Sequence, residues 1–184
     1  MTEWLQSIDT SILIFIQENL SFPLLDKIMI FITTLAEYGA IWIIVALLFL
    51  FSKKYRKYGV IMAISLLIMY VCNDLILKHI IGRLRPFEVN PEWQILISQP
   101  SGSSFPSGHT AVSFTGALCV SMANKKFAPY AYILAVLIAF SRIYLLVHYP
   151  SDIIGGAVVG TLYALLAIWV YKLIDKKFLK GLLG

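Results

Sequence analysis

The residues whose types and spacing can do chemistry fall in three short segments: Lys78 with Arg85-Pro86, then Pro106-Ser107-Gly108-His109, then Ser141-Arg142 with His148 and Asp152. A lysine supplies a point charge and an arginine a planar fork of donors, both suited to phosphoryl oxygens. The separation of Lys78 and Arg85 is about two helical turns, so a persisting helix would face both one way, although Pro86 ends it. Asp74, four residues before Lys78, has the spacing of a helix ion pair and can orient that lysine. In the second segment, Pro suits a first helical turn and Gly108 admits a closely approaching ligand. The free N–H groups of a helix start favour an anion. Ser107 can cap that helix or donate to a phosphate oxygen, and His109 would lie one turn inside, facing the anion. In the third segment a short Tyr149-Pro150 turn lets Asp152 reach one nitrogen of His148, fixing its tautomer and leaving the other as a nucleophile; Asp152 also suits an N-cap. Together these read as a metal-free site that binds a phosphate and cleaves it through a histidine.

The elements that must position these residues are membrane helices. The chain has 184 residues, of which 59% are hydrophobic, and its mean hydropathy is +0.82. A water-soluble domain of this size cannot hide that much apolar surface, so the natural solvent is a bilayer. Residues 1–22 alternate apolar and polar positions at helical spacing and read as an interfacial helix lying on the membrane. Apolar runs then predict spans at 24–51, 58–81, 107–122, 128–147 and 152–174, with a polar, Pro-rich loop at 82–105. The first run is long, and Glu37 and Gly39 inside it mark a candidate break. The fold class is therefore all-α: a polytopic bundle of about five to six membrane-associated helices in one domain, 1–184.

Lysine and arginine placement sets the orientation. One cluster is Lys53, Lys54, Arg56 and Lys57, a second is Lys125 and Lys126, and a third is Lys172, Lys176, Lys177 and Lys180. Five spans put all three on one side, expected to be cytoplasmic, with the C-terminus there. The opposite side carries Lys78, Arg83, Arg85, His109, Arg142, His148 and Asp152, where an anionic substrate would hold the cations.

Other classes fit poorly. The net charge of +5 comes from scattered membrane-flank charges rather than a continuous groove, which argues against nucleic acid. Cys72 and Cys119 lie inside apolar runs, so neither reads as half of an extracellular disulfide, and no Cys/His group has zinc spacing. Glu3 and Asp9 stand where a cleavable signal peptide would be basic. His79 reads as a boundary histidine without a chemical role.

In order, the three segments form K-x6-R-P, P-S-G-H and S-R-x5-H-x3-D, with every motif position filled. On these residues, across 78–152, the chain resembles the type-2 phosphatidic acid phosphatase family of membrane lipid phosphatases, related to vanadium haloperoxidases and glucose-6-phosphatase. The resemblance implies that His148 attacks phosphorus and forms a phosphohistidine, and that Asp152 orients and polarises it. It implies that His109 protonates the leaving oxygen and then helps to activate water. Lys78, Arg85, Ser107, Gly108 and Arg142 would hold the phosphoryl oxygens, without cofactor or metal. Arg83 lies outside the pattern and reads either as a diphosphate contact or as a surface charge.

The expected protein is a multi-pass plasma-membrane phosphatase whose site faces the non-cytoplasmic side. The resemblance to bacterial members of the family implies a membrane-lipid partner, most simply undecaprenyl pyrophosphate hydrolysed to undecaprenyl phosphate, since an outward site suits recycling of a cell-wall carrier. Phosphatidylglycerophosphate or phosphatidate is the alternative substrate. A lipid phosphotransferase would use the same phosphohistidine, and a non-enzymatic transporter would use the cations alone.

Overall fold

The computed structural model describes residues 3–175, so Lys176, Lys177 and Lys180 of the third basic cluster lie outside the described residues. Among the described residues there is no strand, as expected for a chain that must satisfy its backbone within a bilayer. The N-terminal helix α1 spans Glu3–Leu20. It buries Leu13, Ile16 and Asp9 while Trp4 and Phe15 stay exposed, and it packs on α8 (Ala128–Tyr144) and α9 (Pro150–Ile174).

The run at 24–51 is broken. Helix α2 (Pro23–Leu35) and helix α3 (Ala40–Phe51) bend by 45° across a 3-10 turn at Glu37–Gly39. Tyr38 and Gly39 take positive φ there, 51° and 72°, so neither residue continues a right-handed helix. The second run starts at α4 (Arg56–Met69), widens into a π-helix over Tyr70–Leu77 and closes with one turn, α5 (Lys78–Ile81). Gly82 then takes the left-handed conformation that stops it, a position that glycine fills without steric cost. The loop at 82–105 holds a short helix α6 (Pro86–Val89). Its Phe87 joins Ile16, Met29, Tyr144, Leu145 and Val147 in an apolar cluster that seats the loop on α1, α2 and α8.

Helix α7 (Gly108–Ala123) is the centre of the bundle. It packs most extensively on α9 and α8 and also meets α4. Its Val112, Ala117, Cys119 and Val120 are buried with Trp42, Ile61, Met62, Ile138 and Ala164. Trp42 donates Nε1–H to Ser113 at 3.1 Å, which satisfies the one polar atom of that ring. Among the described residues three helices are long and apolar enough to span a membrane, and the bent α2–α3 pair makes a fourth when taken as one span. The third expected span, α7, is only 16 residues; protein on all sides replaces lipid as its solvent.

The helices alternate in direction, so the basic loops gather at one end. Lys57 lies over the Tyr171 ring at 5.8 Å, and Asn124 donates to the Tyr55 hydroxyl at 3.4 Å. The opposite end carries the three motif segments.

Candidate active site

At that end, Arg85 and His148 meet directly. Arg85 sits at the N-cap of α6 in extended backbone, not on a continuing helix. The expected two-turn register between Lys78 and Arg85 is therefore replaced by a break at Gly82. The Arg85 guanidinium is buried and locked by three carbonyls: Nε donates to Gly102 O at 3.0 Å, Nη2 to Ser101 O at 3.1 Å and Nη1 to Val147 O at 2.9 Å. Nη1 also lies 3.3 Å from His148 Nε2.

The turn after α8 places His148 next to Arg142. The Val147 and His148 N–H groups both donate to Arg142 O, at 3.2 and 3.3 Å. This tight reversal puts Leu146 at φ 57°, a strained conformation for a branched side chain that its burial against Leu13 and Tyr149 maintains. Arg142 donates Nη1 to Thr33 on α2 at 2.5 Å. Its buried Nε has no partner among the described residues, a donor free for an oxyanion.

Asp152 is fully buried. It occupies the third position of α9 rather than the N-cap, which is Tyr149, and its Oδ2 accepts the Tyr149 N–H at 2.8 Å. The same oxygen lies 3.6 Å from His148 Nδ1, longer than a direct hydrogen bond. The Ser104 hydroxyl stands between them. It donates to Asp152 Oδ2 at 2.5 Å and lies 3.4 Å from His148 Nδ1. Ser104 thus joins the expected pair as a third member. Nothing in the sequence distinguished it from the neighbouring serines.

Ser107 is the N-cap of α7, with its side chain accepting from Thr110 N–H at 3.4 Å. Its own N–H donates to Asp152 O at 3.1 Å, which ties the second segment to the third. Gly108 and His109 are the first two helical residues, so His109 lies in the first turn rather than one turn inside. Lys78 Nζ sits 3.3 Å from where a Cβ on Gly108 would be, and Lys78 pairs with Asp74 as the spacing predicts. Beside them the Asn73 amide is buried without a partner among the described residues. Asn73, within the π segment, was not singled out by any motif. His109 shares its electrostatic surroundings with Arg142, His148, Lys78 and Arg85. All eight expected site residues therefore converge on one end of the bundle.

Arg83 is not a surface charge, and its Nε is a buried donor without a hydrogen-bond partner among the described residues. It is enclosed by Asp9, Asp152, Gln6 and Ser151 and stacks on the Tyr149 ring at 4.0 Å.

Two cavities reach the cluster. One, of about 470 Å³, runs between the α2–α3 break, α4 and α7 and is lined by Tyr38, Ile43, Leu66, Met69 and Tyr70 on its way to Lys78 and His109. The other, of about 310 Å³, opens among Lys78, His79 and Ser101–Ser103. An apolar approach and a polar approach thus meet at one lysine, which fits a molecule with a hydrocarbon tail and an anionic head. No group of three or more His, Cys, Asp or Glu is placed to hold a metal ion among the described residues.

A polytopic helical protein that gathers Lys78, Arg85 and Arg142 around two imidazoles beside an apolar cavity has the equipment of a membrane enzyme acting on phosphate esters. Comparison with known proteins makes the assignment definite. The model of the PAP2 superfamily matches residues 54–176. The chain is 35% identical over 150 residues to an undecaprenyl-diphosphatase of Sulfolobus acidocaldarius, covering 79% of this chain and 70% of that protein. It is 34% identical to the undecaprenyl-diphosphatase BcrC of Bacillus subtilis, covering 77% and 72%. The crystal structure of a PAP2-type phosphatidylglycerolphosphate phosphatase from Bacillus subtilis superposes with a TM-score of 0.75 at 26% identity, covering 96% of this chain and 90% of that one. The chain belongs to the PAP2 superfamily and is a multi-pass membrane lipid phosphatase.

Proposed function

We propose that the protein hydrolyses a polyprenyl diphosphate, undecaprenyl pyrophosphate, to the monophosphate at the non-cytoplasmic membrane surface through a phosphohistidine on His148. The observation that carries the mechanism is the orientation of His148: Nδ1 faces Ser104 and Asp152, and Nε2 faces the Arg85 guanidinium. The nitrogen left for attack is thus the one beside the cation that would hold the phosphoryl group. Burial pushes the His148 pKa down to about 3, against the opposing pull of Asp152, so the ring is neutral and its Nε2 lone pair is available.

In the first step Nε2 bonds to phosphorus as the bridging oxygen leaves, and His109, protonated once the anionic substrate offsets the surrounding cations, gives that oxygen its proton. The ring becomes cationic while Nδ1–H leans on Ser104 and the Asp152 carboxylate. In the second step water attacks phosphorus, His109 takes its proton and the P–N bond breaks, releasing inorganic phosphate. Lys78, Arg85, Arg142 and the first N–H groups of α7 neutralise charge on the equatorial oxygens of both transition states. The substrate preference rests on the two undecaprenyl-diphosphatases, and the outward orientation rests on the gathering of basic residues at the other end.

The structural likeness to a phosphatidylglycerolphosphate phosphatase favours a second reading in which that phospholipid is the substrate. Phosphate release by purified protein from polyprenyl diphosphate, phosphatidylglycerophosphate and phosphatidate decides between them; a kcat/KM at least about tenfold higher for the diphosphate is expected. Replacing His148 with alanine is expected to abolish release and acid-labile phosphoenzyme together. Retained turnover in a folded His148→Ala protein would sink the mechanism. Solvent ¹⁸O appearing in released phosphate distinguishes hydrolysis from transfer to another lipid.

A further inference from the structure

Arg83 and Asp9 lie outside every motif, yet they form a buried, multiply bonded charge group. The Arg83 guanidinium bridges two buried carboxylates. Nη2 donates to Asp9 Oδ2 at 2.7 Å and to Gln6 at 2.8 Å, both on α1. Nη1 donates to Asp152 Oδ1 and to the Ser151 hydroxyl. Asp9 completes the ring by accepting the Ser151 N–H at 2.9 Å. The guanidinium carbon also lies over the ring of Tyr149, the residue that follows His148, 4.0 Å from its centroid. Through its backbone, Arg83 reaches the third partner of the pair: Ser104 N–H donates to Arg83 O at 2.8 Å, and Arg83 N–H donates to Ser103 Oγ at 2.9 Å.

One residue therefore grips Asp152, Ser104 and the neighbour of His148 at once. Asp152 has two oxygens, and the His148 side needs Oδ2. With Oδ1 bound to Arg83, the carboxylate cannot rotate to offer the other edge. Asp9 in turn balances the guanidinium from the far side and anchors it to α1, a helix that lies before the matched family region. We infer that Arg83 and Asp9 are positioning residues for the reaction, and that α1 is part of the catalytic apparatus because it supplies the carboxylate that holds Arg83 against Asp152. This rests on the phosphohistidine reading of His148.

The test uses the full chain in detergent, with farnesyl diphosphate as substrate and orthovanadate as a probe of the phosphate pocket. Arg83→Met is expected to lower kcat about 10- to 100-fold while KM and vanadate inhibition stay within about threefold, because displacing a reacting pair affects the chemical step and not ground-state binding. Arg83→Lys, which keeps the charge but not the fork, should recover part of the loss. Asp9→Asn should lower kcat about 3- to 10-fold, and the double variant should be no worse than Arg83→Met alone, since both act through one contact. An unchanged kcat in folded Arg83→Met overturns the inference. So does a parallel rise in KM and loss of vanadate affinity, which would make Arg83 a substrate contact. If Arg83→Met fails to insert, Asp9→Asn decides alone, and an unchanged kcat there is fatal. His148→Ala is measured in parallel: if it is inert while Arg83→Met is normal, only the positioning role is refuted; if it is active, the underlying mechanism is refuted.

Discussion

A neutral imidazole attacks phosphorus and an imidazolium does not, and the surroundings of His148 decide which is present. Burial holds its pKa down to about 3, with Asp152 pulling the other way and Arg85 and Arg142 adding to the depression. The unfolded chain has an ordinary histidine near 6.5. Between pH 6.5 and 3 the unfolded state thus binds the extra proton, so His148 makes the fold less stable as pH falls through that window. His148→Gln should flatten the decline in thermal stability between pH 7 and pH 4, measured in detergent against the parent. An equally steep decline in the variant would show that His148 is not the titrating group. Chelation by EDTA should leave phosphate release unchanged, because three cations stand where a metal would neutralise charge; a strict divalent-ion requirement at the chemical step would contradict this. At this scale the motif residues were legible because imidazoles and outer-boundary cations are few and costly in a membrane. Ser104 and Thr33 were not, because a hydroxyl has no rarity to mark it and its partners lie 48 and 109 residues away. Arg83 was visible as a charge but not as a buried one, since its partner Asp9 reads in sequence as the polar face of an amphipathic helix.

Helix ends were legible from Pro, Gly and charge, and the ends of α8 and α9 fall within a few residues of expectation. The π segment at Tyr70–Leu77 was not, because its apolar residues also satisfy an ordinary helical period. The α2–α3 break was visible only as Glu37 and Gly39 within an overlong run; the structure turns it into one wall of the apolar cavity. If that cavity receives the lipid tail, Leu66→Trp should raise KM for a long-chain diphosphate and spare kcat for a short soluble one. Equal KM increases for both would point to the headgroup instead. The α7–α9 contact is the most extensive in the bundle among the described residues. A Cβ on Gly160 would fall 2.2 Å from Ala111 O, and the Thr115 hydroxyl donates to Gly160 O at 2.8 Å. Backbone cannot yield as a side chain can, so Gly160→Val should cost about 1–3 kcal/mol and should lower activity by drawing Asp152 away from Ser107. Thermal unfolding and phosphate release of the variant check both effects.

For the whole molecule, direction alternates from helix to helix, so segments far apart in sequence return to one end and the basic loops to the other. Hydropathy and charge sufficed to read that arrangement, since a bilayer restricts the chain to helices that must cross or lie flat. A cysteine at Gln94, in the loop beside the site, should be labelled by a membrane-impermeant maleimide in intact cells, and one at Lys126 only after lysis; the reverse pattern would invert the orientation. The central helix carries a further consequence. Its 16 residues rise about 24 Å, whereas the oily layer is about 30 Å thick. If Lys125 and Lys126 lie at one surface, as the proposed orientation has it, the other end of the helix stops about 6 Å short of the opposite surface. On the proposed orientation the reaction centre would be sunken: an arriving phosphate would have to dip beneath the plane of its neighbours, or the sheet of lipid would have to dimple around the protein to deliver it.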